Sequence, residues 1–441
     1  MNEVPFCHPW NETRIGDVAD VIVGGTPSTS VDRYWGGSVR WMASGDVHQK
    51  RIVDVLGRIS HEGLNASNAK VVEPPAVAIA LAGQGKTRGT AAIVLVPLCT
   101  NQSVALIKPR GPRLDVAYLY HCFEFRYEEL RSRSAGAGRA GLSKGLIEAI
   151  PVPLPEEHVQ RKIAEVLDNI DRVIGQGESL IAKYLRVKIG LMQDLLRHGI
   201  DEDGQIRHHN THEFRKSHIG LMPTEWEALT LGSVASSAVD GPFGSNLKTE
   251  HYVEGGGVRV VRLQNIGVGK FEDADKVFVS NEHAIRLRRH RVQGGDLLVA
   301  ALGDERHPLA RACLYPLEHP DGIVKADCFR FRLVPERASH GYVSNVLNSE
   351  IVRPQVEAMA QGVTRERVNL TKVRGIVIGL PPKKEQEEIL TILDAQDLLI
   401  TTQERQLSKF RRLKTALMQD LLTGRVSVEP LLETGVAASQ T

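Results

Sequence analysis

The chain has 441 residues, with 55 basic against 53 acidic side chains and a formal net charge of +2. That length allows two or three domains with separate cores, and the near-neutral balance confines any basic surface to local patches. The five cysteines (Cys7, Cys99, Cys122, Cys313 and Cys328) show no CxxC pair or zinc spacing. With no apolar run of about 18 residues and no signal-like N-terminus, they point to a soluble, cytoplasmic protein with free thiols and no membrane span.

In chain order, a first module over 1–153 starts with Trp10–Val18, WNETRIGDV. The polar loop Gly24-Gly-Thr-Pro-Ser-Thr-Ser follows, then Arg33-Tyr-Trp-Gly-Gly. Strands are expected at Val18–Val23, Val39–Met42, Ala76–Leu81, Ala91–Val96 and Ser103–Ile107, and a helix at Ala117–Arg131. Ala80–Thr87, ALAGQGKT, fits a relaxed phosphate-loop pattern. Such a loop needs a helix directly behind it to aim N–H groups and the helix dipole at phosphates. A strand-like run follows instead, so the expectation is a loop between strands with Lys86 and Arg88 facing an anion. A phosphate-loop nucleotide-binding protein is the alternative reading.

Residues 154–197 read as one long helix. Ile163, Leu167, Ile170, Ile174 and Ile181 recur at steps near three and four, Pro155 precedes the helix, and Gly199 is placed to cap its end. Gly175 and Gly177 inside it each cost about 1 kcal/mol relative to alanine and open the way to a local bend. Residues 198–222 are expected to be a polar linker, with His208, His209 and His212 solvated rather than holding a metal. A second module over 223–379 starts with Trp226–Val234. Its strands are expected at Val258–Leu263, Lys276–Val279, Asp296–Ala301, Ala312–Tyr315 and Cys328–Leu333, with a helix at Gly341–Ala360. A second long helix over 380–424 carries Ile389, Leu393, Ile400, Leu407 and Leu421, and 425–441 are expected to be a flexible tail.

The two halves repeat. Leu167-Asp168 aligns with Leu393-Asp394, Asp171 with Asp397, and Met192-Gln-Asp-Leu-Leu with Met418-Gln-Asp-Leu-Leu, at one constant offset without a gap. Trp10 and Gly16 likewise match Trp226 and Gly232. A duplicated module and helix follows. Each module is expected to be α+β with a mixed or antiparallel sheet. The helices, roughly 40 residues and about 60 Å each, are expected to pack as an antiparallel coiled coil in a pseudo-two-fold tandem repeat.

No nucleophile elbow, HExxH, kinase, methyltransferase or nuclease motif is present, which argues against catalysis and leaves no catalytic or metal residue to name. The polar loops instead supply groups that neutralise phosphates or pair with base edges. In the first module these are Thr26, Ser28, Arg33, Tyr34, Gln84, Lys86, Arg88, Asn101 and Gln102. In the second they are Asn246, Lys248, Arg259, Arg262, Gln264, Asn265 and Arg306.

With GGTPST, YWGG, the proline entries to both helices and their LMQDLL ends, the chain resembles the specificity subunit of type I restriction-modification enzymes over nearly its whole length. That resemblance implies two target recognition domains, each reading half of a split double-stranded DNA target, separated by a helical spacer. It also implies docking of two methyltransferase subunits and two restriction/translocase subunits. S-adenosylmethionine would belong to the methyltransferase and ATP with Mg to the translocase, with no cofactor in this chain. A scaffold whose modules bind protein is the remaining alternative.

Overall fold

The computed structural model describes residues 10–83, 85–133, 141–362 and 366–431. It forms two units, Met1–Ser179 with Glu404–Thr441, and Leu180–Gln403. The division passes through two long helices, α1 (Glu157–His198) and α2 (Lys383–Leu422). Each unit therefore holds one sheet module and part of each helix. The prolines sit just ahead of the helices, where a missing N–H is harmless. Gly199 and Gly424 follow the ends with φ of 66° and 69°, the left-handed geometry that glycine adopts without strain. Gly175 and Gly177 do not interrupt α1.

In the first unit a five-stranded mixed sheet runs in the order Ala19–Val23, Val104–Pro109, Ala76–Ala80, Ala91–Val94 and Arg51–Ile52. Only the last pair is parallel. Alternation along Ala76–Ala80 sends Val77 and Ile79 to one face and Ala76, Ala78 and Ala80 to the other. The first face packs on Tyr118, Leu119 and Phe123, on Ile163 and Leu167 of α1, and on Met418, Leu421 and Leu422 of α2. The helix expected over Ala117–Arg131 is two, Val116–Phe125 and Tyr127–Arg133.

The second unit has a four-stranded antiparallel sheet: Ala235–Asp240, Cys328–Leu333, Leu297–Ala300, Ala312–Leu314. Beside it lies a five-stranded sheet in which Val258–Val261 and Gly322–Val324 run parallel. Leu297 and Val299 face Tyr342 and Val343, Leu195 and Leu196 of α1, and Ile389 and Leu393 of α2. In both units the start of one helix shares a core with the end of the other, so the pair is antiparallel. Every expected seam residue is buried except Ile181, which is half-buried. Val173, Leu399, Phe410 and Leu413, on the same stripes, are exposed.

The repeat appears bond for bond. Strand Glu12–Arg14 pairs with Pro151–Pro153, as Glu227–Thr230 pairs with Val377–Leu380. Gln160 accepts from the Asp115 N–H at 2.9 Å and donates to Pro155 O at 2.8 Å; Gln386 does the same with Ser339 and Pro381, both at 2.8 Å. The Tyr118 hydroxyl donates to Pro153 O at 3.1 Å, and the Tyr342 hydroxyl to Gly379 O at 3.0 Å.

Two expectations about connectors need correction. Residues 198–222 are not a plain linker: Phe214–Ser217 forms a hairpin with Gly220–Pro223. Arg207 is buried and donates to Glu385 at 2.6 Å. The same carboxylate accepts from Ile200 N at 3.0 Å and Trp226 Nε1 at 3.3 Å. Nor does the chain fray directly after Gly424. Val426 N donates to Asp420 O at 3.1 Å, and Val428, only 2% exposed, joins the first unit's core. Residues 432–441 of the expected tail lie outside the described residues.

Candidate nucleic-acid interface

In the first unit, Gly24 and Gly25 turn the chain beneath a polar rim. Gly25 N donates to Thr100 O at 2.9 Å, and Trp41 Nε1 to Gly25 O at 2.9 Å. A Cβ on Gly24 would lie 2.0 Å from Thr100 O, so only glycine fits. The exposed Thr26 hydroxyl donates to Gln102 Oε1, which brings two sequence candidates together. Ser28 Oγ is 2.8 Å from Ser30 Oγ. Arg33 binds Glu62 at 2.7 Å with its guanidinium 5.6 Å from the Tyr34 ring centroid. Asn101 is half-buried, and its Oδ1 accepts from Ser103 N at 3.0 Å.

The segment after Ala80 turns and enters the antiparallel strand Ala91–Val94 with no helix between them among the described residues. The helix-backed geometry that a phosphate loop requires is therefore missing. Tyr127 and Arg131 hold this loop by donating to Lys86 O at 2.8 Å and Gly85 O at 2.6 Å. The Lys86 side chain is left exposed, Arg88 is half-buried, and Gln84 lies outside the described residues.

The second unit separates its candidates. Asn265 is 0% exposed; its amide donates to Glu272 O at 2.8 Å and Asp275 O at 3.1 Å, and its Oδ1 accepts from Arg262 N at 2.9 Å. Arg259 is 6% exposed, with its guanidinium on Asp275 O at 2.9 Å and Asp273 at 3.0 Å. Both were DNA-binding candidates and both lie under the surface, the Asn265 amide bonded within the domain and the Arg259 guanidinium anchored on Asp275 and Asp273, so burial removes them from an exposed contact surface. Arg262 and Gln264 both donate to Asp275, Gln264 at 2.5 Å, at a more open site. Asn246, Lys248 and Arg306 are exposed, with Lys248 3.3 Å from Glu250.

Sequence reasoning missed several groups near these loops. Arg367 stands 5.6 Å from the Phe243 ring centroid, and Lys325 donates to the Tyr252 hydroxyl at 2.9 Å. In the first unit Asn65 and Asn68 lie beside Gln102 around one cleft. Their partners are distant in sequence, so no local pattern could have found them.

Away from the loops, the first unit buries a charged cluster. His121 Nε2 is 3.0 Å from Asp168, which also takes Arg51 at 2.6 Å. The Lys414 ammonium reaches Glu124 at 2.5 Å and Asp171 at 2.8 Å. Burial opposes charge on His121, but its bonds to Asp168 and Glu124 outweigh that and raise its pKa. Burial likewise opposes ionisation of Glu124, while His121 and Lys414 bring its carboxyl down to about 2. His121, Glu124 and Asp171 offer metal-type ligand atoms within 4.8 Å of one another, but Lys414 already supplies the cation. The second unit has the simpler equivalent, Lys188 to Asp397 at 2.5 Å. His208, His209 and His212 form no such group; His209 packs on Phe214 with ring centroids 4.3 Å apart. No helix among the described residues is long and apolar enough to cross a membrane.

Two α+β modules on a repeated helix frame, with unlike polar loops, define a tandem recognition protein. The family described as type I restriction modification DNA specificity domain matches residues 8–181 and 330–409, more than half of the chain, and the chain belongs to it as a specificity subunit, a component without catalysis of its own. It is 24% identical over 426 residues to the type I restriction enzyme MjaVIII specificity subunit of Methanocaldococcus jannaschii, covering 96% of this chain and 94% of that one. It is also 24% identical over 161 residues to the EcoR124I/EcoR124II specificity subunit of Escherichia coli, 36% of this chain and 40% of the relative. The fold resembles the crystal structure of a type I S subunit from M. genitalium, with a TM-score of 0.56 and 14% identity over 95% of this chain and 98% of that one. A chain solved in work on assembly of the type I system gives 0.59 and 17%, covering 97% and 100%.

Proposed function

We propose that the chain reads a split, asymmetric double-stranded DNA target, with residues 1–153 and 223–379 as the two target recognition domains. The observation that carries this reading is the contrast between frame and loops. Gln160 and Gln386, and Tyr118 and Tyr342, make matching bonds, whereas the opening polar loops differ, Gly24-Gly-Thr-Pro-Ser-Thr-Ser in one module and Gly241-Pro-Phe-Gly-Ser-Asn-Leu-Lys in the other. A repeated frame offers two copies of one partner equivalent seats, and unlike loops read unlike half-sites.

The partners in this reading are two methyltransferase subunits, which bring S-adenosylmethionine, and two restriction/translocase subunits, which bring ATP and Mg, all in the cytoplasm. Exposed apolar residues on the helices, among them Ile189, Leu398, Phe410 and Leu413, support docking there. On the DNA side the proposal keeps Thr26, Ser28, Arg33, Tyr34, Lys86, Arg88, Asn101 and Gln102 in one domain. In the other it keeps Asn246, Lys248, Arg262, Gln264 and Arg306.

Duplex affinity of the complex assembled with its methyltransferase, titrated with salt, tests this. A steep fall in log affinity with log salt is expected, as phosphate contacts release counterions. An assembled complex with no salt-dependent duplex binding would favour a protein-binding scaffold.

A further inference from the structure

The first unit carries an open cleft of about 570 Å³ whose lining includes Gly24, Gly25, Thr26, Asn65, Asn68 and Gln102. It has no ionisable lining residue. Its lining holds neither a cation nor a helix start, the groups that neutralise phosphate charge. It presents carboxamides. Gln102 Oε1 is taken by the Thr26 hydroxyl, Gln102 is itself exposed, and Asn65 and Asn68 are exposed with no side-chain hydrogen bond among the described residues.

The floor is fixed. Gly24 N donates to Val104 O at 3.3 Å and Gly25 N to Thr100 O at 2.9 Å. A Cβ on Gly25 would come within 2.6 Å of Ala69 N, so the glycine loop and the Asn65–Asn68 turn lie in direct backbone contact. Asn65 closes the helix His61–Asn65, whose N-cap Ser60 accepts from Gly63 N at 3.1 Å. Arg33 ties that helix back through Glu62 at 2.7 Å. Three amide groups thus stand on braced backbone, the preorganisation that base reading needs.

We propose that this cleft is the direct-readout site of the first recognition domain, with Asn65, Asn68 and Gln102 contacting base edges in the major groove and an adenine as the preferred partner. The inference rests on the DNA-reading function proposed above. The Asn65 and Asn68 carboxamides match adenine because each can donate to N7 and accept from N6–H₂ in one plane, a pairing the other bases do not offer in the major groove, while Gln102, its Oε1 held by Thr26, contributes its NH₂ as a donor. The neutral lining adds to this, since discrimination then comes from hydrogen-bond pattern and not from charge. Lys86, exposed on its own loop, is the phosphate-contact counterpart.

The test uses the full chain assembled with its methyltransferase subunit, with modified sites mapped across a genome. Asn65→Ala, Asn68→Ala and Gln102→Ala are compared with Lys86→Ala, and thermal unfolding checks that each variant folds. At least one amide variant is expected to relax base preference at one or two positions in a single half of the motif. It should also lose roughly 10- to 100-fold affinity for the wild-type duplex, with an unchanged salt slope. Lys86→Ala should weaken all sequences alike and make the salt slope shallower. If all three amide variants keep the wild-type motif and affinity, the cleft is not the reader, although the split-target reading stands. Uniform loss across sequences with a shallower slope would make it a phosphate site and overturn the inference as well. A wild-type complex that modifies no specific sequence would defeat the underlying reading instead.

Discussion

Glu385 sits at the first turn of α2, and its buried carboxylate gathers Arg207, Ile200 N and Trp226 Nε1. Removing one member of a buried ion pair strands the other without water or counter-charge, at a cost of several kcal/mol. Glu385→Ala should therefore destabilise the second unit by about 3 kcal/mol, read as a lower denaturant midpoint. A loss under about 0.5 kcal/mol, the range of ordinary surface changes, would mean that water reaches Arg207. The sequence held no sign of this hub: Arg207 lies in a polar stretch that reads as linker, and its partner is far along the chain. The same blindness separated Asn265 from its role. An asparagine in a loop looks equally suited to a base edge and to capping a turn, and only its burial decides.

His121 makes a pH prediction. Its pKa is raised on folding, so its contribution is complete below the unfolded value of 6.5 and is lost as pH climbs through the folded one. Glu124, lowered to about 2, contributes above its unfolded value of 4.5 and loses this as pH falls toward 2. Together they give a plateau between about 4.5 and 6.5. His121→Asn, which copies the residue type of Asn345 at the matching turn of the second unit, should flatten the decline of thermal midpoint above that plateau. A variant that declines as steeply as the wild type would remove His121 as the source.

At the scale of elements, the helices were the most legible part. Expected at 154–197 and 380–424, they are Glu157–His198 and Lys383–Leu422, because proline and glycine punctuate a long apolar period. The main strands were legible as well, since Ala76–Ala80 and Cys328–Leu333 are apolar runs between turns. Strands of two or three residues, such as Arg51–Ile52 and Gly322–Val324, are too short to show alternation, and their pairing is decided by distant partners. Gly175 and Gly177, which left room for a local bend, do not break the helix. Helical neighbours hold that turn, and space beside Gly175 is open, with nothing within 4 Å of a built Cβ. Gly175→Ala should then stabilise the protein by about 1 kcal/mol, seen as a higher thermal midpoint. A lower midpoint would show that glycine there serves a departure from ideal helix.

For the whole molecule, a duplicated frame holds two domains that differ where they are exposed. The repeat was readable because residues of the two helices recur at one offset and the module starts carry the same tryptophan and glycine. The recognition surface was not, because loops that meet in space, such as Gly24–Gly25, Asn65–Asn68 and Gln102, are scattered along the sequence. The most direct measurement is a modification map from the chain expressed with its cognate methyltransferase in a host without other adenine methylation. A single motif of two different short halves, separated by a fixed nonspecific gap, is the predicted result. A continuous ungapped motif, or no modification from a complex shown to assemble, would contradict two independent readers on one frame.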